Sequence, residues 1–314
     1  MRIRRRLFTL VLPLLALLLF MGLGLLIPLL NPKRLDRHAE LPINTVRDAL
    51  EEKVPRSSRV DSVFLKGHGR IVYEVGGRGE PVLLLHCWAG SREYWKYVMR
   101  DLGDEFRFYA PDLKGFGDSD KPPSGYRISD YVDLVREFCE AVGVERMSIV
   151  GHSLGGAIAA RFAATYPEAV DKLVLVATPP KGLPLRLRII GYPVIGVLWY
   201  GMVRAIGGFA LRGSTAGEVW LKPTIRSATR SMRWYSRARV IEDFKRVKAP
   251  TLLIFGLKDR TVPPEAAYIY AEVRRSYVSI IPDAKHSPMC ENPAVFNEVL
   301  RSFLRQSFSL SACQ

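Results

Sequence analysis

The chain has 314 residues, 48% hydrophobic and 25% charged, a composition that excludes collagen-like, disulfide-dense and wholly disordered proteins. Its length suits about two domains, or one large domain with an insertion. The net charge of +15 sits in two blocks: residues 1–30 carry +4, residues 181–248 carry +11 from 14 basic and 3 acidic side chains, and the remainder balances at 28 of each sign. A general nucleic-acid binder is basic over its main folded body, so no nucleic-acid partner is expected.

Residues 7–30 form a run of 24 residues without a charge, preceded by Arg2, Arg4, Arg5 and Arg6. A helix needs about 20 apolar residues to cross a bilayer, whereas a cleaved signal has an apolar stretch of only about 7–15. The weak small-x-small site Gly22-Leu23-Gly24 lies inside the run. The sequence therefore predicts a single-pass anchor over 1–30. The four arginines outweigh Lys33, Arg34 and Arg37 with Asp36, a small margin that puts the catalytic part on the non-cytoplasmic side. Residues 31–59 read as a linker or a short helix above the membrane.

From residue 60 the pattern alternates strand and helix. VDSVFLK (60–66) and RIVYEV (70–75) form a hairpin around Gly67-His68-Gly69. PVLLLH (81–86), FRFYAP (106–111), RMSIV (146–150), KLVLVA (172–177), TLLIFG (251–256) and YVSII (277–281) are strands. Helices are expected over 91–102 with Ser91 as N-cap, and over 128–142, 154–166, 264–275 and 292–306. This alternation predicts an α/β protein, with a mostly parallel sheet and helices on both faces. Chemistry in such sheets collects beyond the carboxyl ends of the strands.

After the strand 146–150 comes Gly151-His152-Ser153-Leu154-Gly155, a GxSxG pattern between strand and helix. The sharp turn strains the serine and leaves no room for side chains at the glycines. A serine hydroxyl needs a base, and the base an orienting acid. Of five histidines, His38 falls in the linker, His68 in a hairpin turn and His152 inside the elbow, while His286 follows the last strand. Asp259 follows the strand 251–256. Asp283 is a competing acid, but it is close to His286 along the chain and suits a turn. Ser153, Asp259 and His286 are thus the candidate catalytic residues.

Together these features resemble the α/β-hydrolase fold, in its capped branch. His86-Cys87-Trp88-Ala89-Gly90 is similar to the His-Gly-x-x-Gly loop, Asp112 to Ser119 to a D-x-R-G-x-G-x-S segment, and His286-Ser287-Pro288 to the terminal histidine motif. The resemblance implies an oxyanion hole from the backbone N–H groups of Trp88 and Leu154. It also implies ester hydrolysis without a cofactor or metal. Serine at 153 argues against the dehalogenase and epoxide hydrolase chemistries, which place aspartate there. The same triad elsewhere in the superfamily serves thioesters, lactones, carbon–carbon bonds and perhydrolysis, and a non-catalytic ligand-binding member is a further alternative.

Two departures stand out: Cys87 for glycine and Lys114 for arginine. Cys87, Cys139, Cys290 and Cys313 show neither CxxC nor zinc-ligand spacing. The resemblance brings Cys87 and Cys290 into neighbouring loops, as two buried thiols or as a disulfide. The implied units are a core of 60–177 with 250–306, and a helical cap of 178–249, basic and partly apolar. The cap is a lid whose basic face is solvated, leans on an anionic membrane or recognises an anionic substrate. The expected ligand is a small apolar ester. The membrane is met through 7–30 and the cap.

Overall fold

The structure, a computed structural model, describes residues 42–53, 57–210, 219–274 and 276–308. The expected anchor over 7–30, residues 31–41 of the expected linker, His38 and Cys313 lie outside the described residues. Among the described residues no helix is long and apolar enough to cross a membrane.

Eight strands form one sheet in the order β1-β2-β4-β3-β5-β6-β7-β8. They are β1 (Ser58–Leu65), β2 (Gly69–Gly77), β3 (Glu80–Leu85), β4 (Phe106–Pro111), β5 (Met147–His152), β6 (Val170–Val176), β7 (Thr251–Gly256) and β8 (Tyr277–Ile281). The β1/β2 and β2/β4 pairs are antiparallel, and every pair from β4/β3 to β7/β8 is parallel. Gly67 and Gly69 turn the hairpin at φ 86° and 82°, values that side chains with a Cβ disfavour.

Successive strand residues face opposite layers, so each buried strand feeds two cores. In β3, Val82 and Leu84 join one apolar cluster and Leu83 and Leu85 the other; in β7, Leu252 and Ile254 part from Leu253 and Phe255 in the same way. This is why both strands read as unbroken apolar runs. One layer is covered by α1 (Pro42–Glu51), α2 (Lys96–Leu102) and α11 (Pro293–Arg305). The other is covered by α3 (Ile128–Ala141), α4 (Leu154–Thr165) and α9 (Ala266–Ala271).

Two helices begin differently from expectation. Residues 92–95 form a 3-10 turn before α2, with the Ser91 hydroxyl accepting the Glu93 N–H at 3.3 Å. The helix expected over 264–275 narrows to α9. Pro263 and Pro264 cannot donate, and the flanking amides close three-residue turns instead, as from Ala266 to Pro263 and from Val273 to Tyr270.

The stretch expected as linker or short helix contains α1, and α1 is part of the core. Val46, Ala49 and Leu50 are buried with Tyr97, Met289 and Cys290. Lys96 caps the helix end by donating to the carbonyls of Leu50 and Glu52. α1 also packs on α10 (Pro288–Glu291), beyond the carboxyl end of β8.

Between β6 and β7 the chain forms α5 (Leu185–Arg188), α6 (Pro193–Ala210), α7 (Ile225–Tyr235) and α8 (Val240–Phe244). α6 and α7 run antiparallel. A Cβ on Gly191 would stand 2.6 Å from the Arg233 Cα, one on Gly196 3.2 Å from Thr229 Cγ2, and one on Gly201 3.7 Å from Ile225 Cδ1. Glycine at 191 and 196 is therefore what lets the two backbones approach.

If α1 is integral to the core, Leu50→Ala should lower the unfolding free energy of the full chain by about 2–5 kcal/mol, as for other buried leucines. Chemical denaturation measures this. A loss under about 0.5 kcal/mol, typical of surface changes, would return the segment to the status of a linker.

Candidate active site

Ser153 stands between β5 and α4 with φ 54° and ψ −106°, a backbone strain of about 1–3 kcal/mol for a residue with a side chain. The turn closes because its neighbours lack side chains. A Cβ on Gly151 would lie 2.4 Å from the Gly155 carbonyl oxygen, and one on Gly155 2.2 Å from the Leu85 carbonyl oxygen. Gly155 thereby draws the start of α4 against the end of β3.

Asp259 and His286 reach Ser153 from the next strands. A Cβ on Gly256 would lie 2.0 Å from the Lys285 carbonyl oxygen, so glycine there lets the loops after β7 and β8 touch. The Asp259 Oδ1 accepts the N–H of Thr261 at 2.7 Å and of Val262 at 3.0 Å. Its Oδ2 lies 2.8 Å from His286 Nδ1, and His286 Nε2 lies 3.1 Å from Ser153 Oγ. An ionised Asp259 only accepts, so Nδ1 carries the proton and Nε2 takes the serine hydroxyl. The sequence-predicted trio is therefore brought together as one relay. Asp283 turns away: its backbone is at φ 59° and its carboxylate meets Lys258 at 2.8 Å.

Two further side chains hold His286. Glu291 Oε2 accepts the N–H groups of Lys285 at 2.6 Å and Ser287 at 3.2 Å. Burial raises the Glu291 carboxyl above its ordinary range, while these two N–H groups pull it back. His152 donates from Nε2 to the His286 carbonyl oxygen at 2.7 Å, and its buried Nδ1 has no hydrogen-bond partner among the described residues. Burial holds His152 well below the usual histidine range, so it is neutral.

Trp88 lies in the loop after β3, Leu154 opens α4, and β3 and β5 are neighbours in the sheet. His86 fixes the Trp88 loop: Nε2 accepts the Leu113 N–H at 2.9 Å, so Nδ1 carries the proton and donates to the Cys87 carbonyl at 2.7 Å. Cys87 and Cys290 are buried free thiols, and burial pushes Cys87 up to about 12. The alternative of a disulfide between them is not what the structure contains.

A residue that the sequence reading did not single out completes the site. Tyr235, at the end of α7, places its hydroxyl 2.8 Å from Ser153 Oγ and is 1% exposed. Because the serine proton goes to His286, Tyr235 must be the donor in this bond. Burial raises its phenol, which keeps the donor neutral. No spacing signal marks this tyrosine, because its approach depends on how α7 lies over the sheet. Trp88 also meets the inserted helices: its indole N–H donates to the Ala228 carbonyl and to Ser231 Oγ, both at 3.1 Å, and its ring meets Tyr200 edge to face. A cleft of about 610 Å³ lined by Pro81, Arg146, Lys172 and Pro250 lies at the opposite, amino-terminal ends of the strands and does not touch Ser153.

With the sheet and the relay described, the likenesses to known proteins fall into place. Residues 80–193 match the alpha/beta hydrolase fold family. The chain has the α/β-hydrolase fold. The chain is 29% identical to Lipase 1 of Psychrobacter immobilis, over 80% of this chain and 86% of that protein. It is also 29% identical to the 2-hydroxy-6-oxo-6-(2'-aminophenyl)hexa-2,4-dienoic acid hydrolase of Metapseudomonas resinovorans, over 74% and 86%. A thermophilic esterase from Thermogutta terrifontis superposes with a TM-score of 0.68 at 25% identity, covering 79% of this chain and 98% of that one.

In this fold the lysine at 114, where the resembling segment has arginine, has a structural outcome. Lys114 is buried, donates to His68 Nδ1 at 2.7 Å and the Asp130 carbonyl at 3.2 Å, and lies over the Tyr131 ring. His68 Nε2 faces Glu137 at 3.4 Å. Burial is the main cause that lowers Lys114 from its ordinary 10.5 to about 8, against the opposing pull of Asp130, Asp133 and Glu137. Between these two values the unfolded chain holds a proton that the folded chain has released, so stability rises with pH there. Relative to Lys114→Met, the wild-type protein should gain stability as pH rises from about 8 to about 10.5. Denaturation of both proteins across that window checks this, and a constant gap would show that the lysine keeps its proton.

Proposed function

We propose that the chain is a membrane-anchored serine hydrolase that cleaves carboxylic esters of apolar or lipid-like substrates. The observation that carries this reading is the Asp259–His286–Ser153 relay, at 2.8 and 3.1 Å, ending on a serine held at φ 54°. The likeness to a protein named as a lipase and to a solved esterase supports the choice of esters.

Ser153 Oγ attacks the ester carbonyl carbon while its proton passes to His286 Nε2. Asp259 stabilises the imidazolium and keeps its orientation. The N–H groups of Trp88 and Leu154 receive the oxygen that becomes negative, a contribution of about 3 kcal/mol per donor in comparable sites. The intermediate collapses, and the leaving alkoxide takes the proton from His286. Water then attacks the acyl-serine by the same proton path and releases the acid. Tyr235 donates to the lone pair with which Ser153 would attack, so its hydroxyl has to turn to another acceptor when substrate enters. The ester oxygens are the acceptors at hand, which makes Tyr235 a donor to the leaving alkoxide.

Ser153→Ala, Asp259→Ala and His286→Ala should each abolish most ester hydrolysis without unfolding the protein, because the three act as a unit. A fluorophosphonate probe should label Ser153 in the wild type alone. Near-full activity of His286→Ala would sink the assignment, and Asp283→Asn should be mild. Tyr235→Phe should lower kcat for alkyl esters by roughly tenfold to a hundredfold, and change p-nitrophenyl esters little, since a good leaving group needs no donor. Equal losses on both ester types would leave Tyr235 a packing residue.

The anchor is tested separately. The full chain should stay with membranes through alkaline carbonate washing, and a mature N-terminus near residue 25 would show cleavage instead. A second reading, hydrolysis of a dienoic acid, rests on the equal 29% identity to the relative so named. Turnover of such an acid with no turnover of esters would decide for it.

A further inference from the structure

The outward face of the helices over Ser153 is both apolar and cationic. On α6, Val194, Val197 and Leu198 are 72%, 44% and 50% exposed, the spacing of one helical stripe. Tyr192, just before them, is 44% exposed, and Trp234 on α7 is 40% exposed with the Arg127 guanidinium 5.0 Å from its ring centre. Along α7 and just past its end, Arg226, Arg230, Arg233 and Arg237 are all exposed, again on one stripe. The antiparallel packing lays the two stripes side by side, with the Arg237 guanidinium 5.9 Å from the Tyr192 ring centre. The inward faces carry Ala228, Met232 and Tyr235, which are buried.

The arginines are not there to neutralise neighbours. Arg230 donates to the Pro123 carbonyl and Arg237 to the Arg233 carbonyl, and among the described residues none of the four pairs with a carboxylate. Neither α6 nor α7 contains an acidic residue. A row of unpaired guanidinium groups beside exposed aliphatic and aromatic side chains suits a surface that offers anions at the level of an apolar layer.

The chain path agrees with that partner. α1 packs on α10, just past His286, at the end of the sheet over which α6 and α7 lie. Only residues 31–41 separate α1 from the apolar run 7–30. Eleven residues reach at most about 40 Å when extended.

We propose that this face, Val194, Val197, Leu198 and Trp234 with the four arginines, docks on an anionic lipid bilayer. The docking goes beyond the hydrolase reading and does not depend on the Ser153 chemistry. It also sets the covered side of Ser153 toward the bilayer, because Tyr235 lies on the inner side of the same helix.

Spin labels test the docking on the full chain, with Cys313→Ser so that only an introduced cysteine reacts. A label at Val197→Cys should gain oxygen accessibility and lose accessibility to a water-soluble nickel chelate in phosphatidylglycerol-containing vesicles. It should remain aqueous in phosphatidylcholine vesicles and after addition of salt. A label at Asp104→Cys, whose native side chain is 95% exposed on the sheet's other end, should remain aqueous throughout. Replacing the four arginines by glutamine should return the label at 197 to water. If that label stays as water-accessible as the one at 104 in anionic vesicles, the proposal is overturned, even where carbonate washing shows the chain to be anchored. Dipolar broadening between labels at 197 would also overturn it, since a second copy would then cover the face.

Discussion

The site depends on one strained residue. Ser153 holds a positive φ that no ordinary side chain prefers, and it stays there because Gly151, Gly155 and Gly156 leave no space for the elbow to relax into. A Cβ at 156 would lie 1.9 Å from Thr178 Oγ1, so the turn is also gripped from the end of β6. The same closeness that strains the serine aligns it. Ser153 N donates to the Val176 carbonyl at 2.9 Å, and Ala157 N donates back to the Ser153 carbonyl at 3.1 Å. Strand, turn and helix thus fix the nucleophile before any partner side chain is considered.

The partners are placed by backbone, which explains how four separate loops agree on one point. Asp259 is aimed by two amides of its own turn, His286 by its neighbours' bonds to Glu291 and its own carbonyl's bond from His152, and the Trp88 loop by His86. Below that loop, Asp112 is fully buried and takes the N–H groups of Arg92 at 2.7 Å and Asp118 at 2.8 Å, while the Arg92 guanidinium bridges both carboxylates. A buried carboxylate with several charge-assisted bonds stays in place, whereas losing one partner would leave it uncompensated and costly. Rigidity at the site therefore comes from satisfied polar groups in the loops, and the sheet supplies only the platform.

The legibility of the sequence follows from this division. Strands β3, β5 and β7 were readable because a parallel strand buried on both faces is a short apolar run; β8 lies at the sheet edge and is largely exposed, yet its sequence is also a short apolar run. Ser153, Asp259 and His286 were readable because each follows such a run. α1 was half readable: its polar, proline-flanked stretch resembles a linker, and only the burial of Val46, Ala49 and Leu50 distinguishes a docked helix. Tyr235, His152 and the Lys114–His68–Glu137 chain were not readable. Each owes its role to a contact across the fold, between residues as far apart as 152 and 286, and local pattern carries no record of such contacts.

The seam between the inserted helices and the rest is mixed: Ile190, Met232, Tyr235 and Phe244 join the apolar core that Leu83, Leu85 and Leu154 form, and polar bonds cross it as well. The polar bonds are Lys222 to Asp118 at 2.5 Å, Trp220 to the Tyr94 hydroxyl at 2.9 Å, Ser227 to the Gly115 carbonyl at 2.9 Å, and Trp88 to Ala228. A neutral bond of this type contributes a net ~1 kcal/mol, because water replaces it when it breaks. The buried apolar residues of the inserted helices have no such substitute, so they supply the larger share of the hold. Ser153 is 4% exposed with Tyr235 against it, so the seam is also the boundary at which a substrate must gain entry. Apolar packing and polar bonds together let these helices shield the relay from water, while the turn that holds Ser153 is fixed by the sheet and α4, through the Val176 carbonyl and the Ala157 N–H.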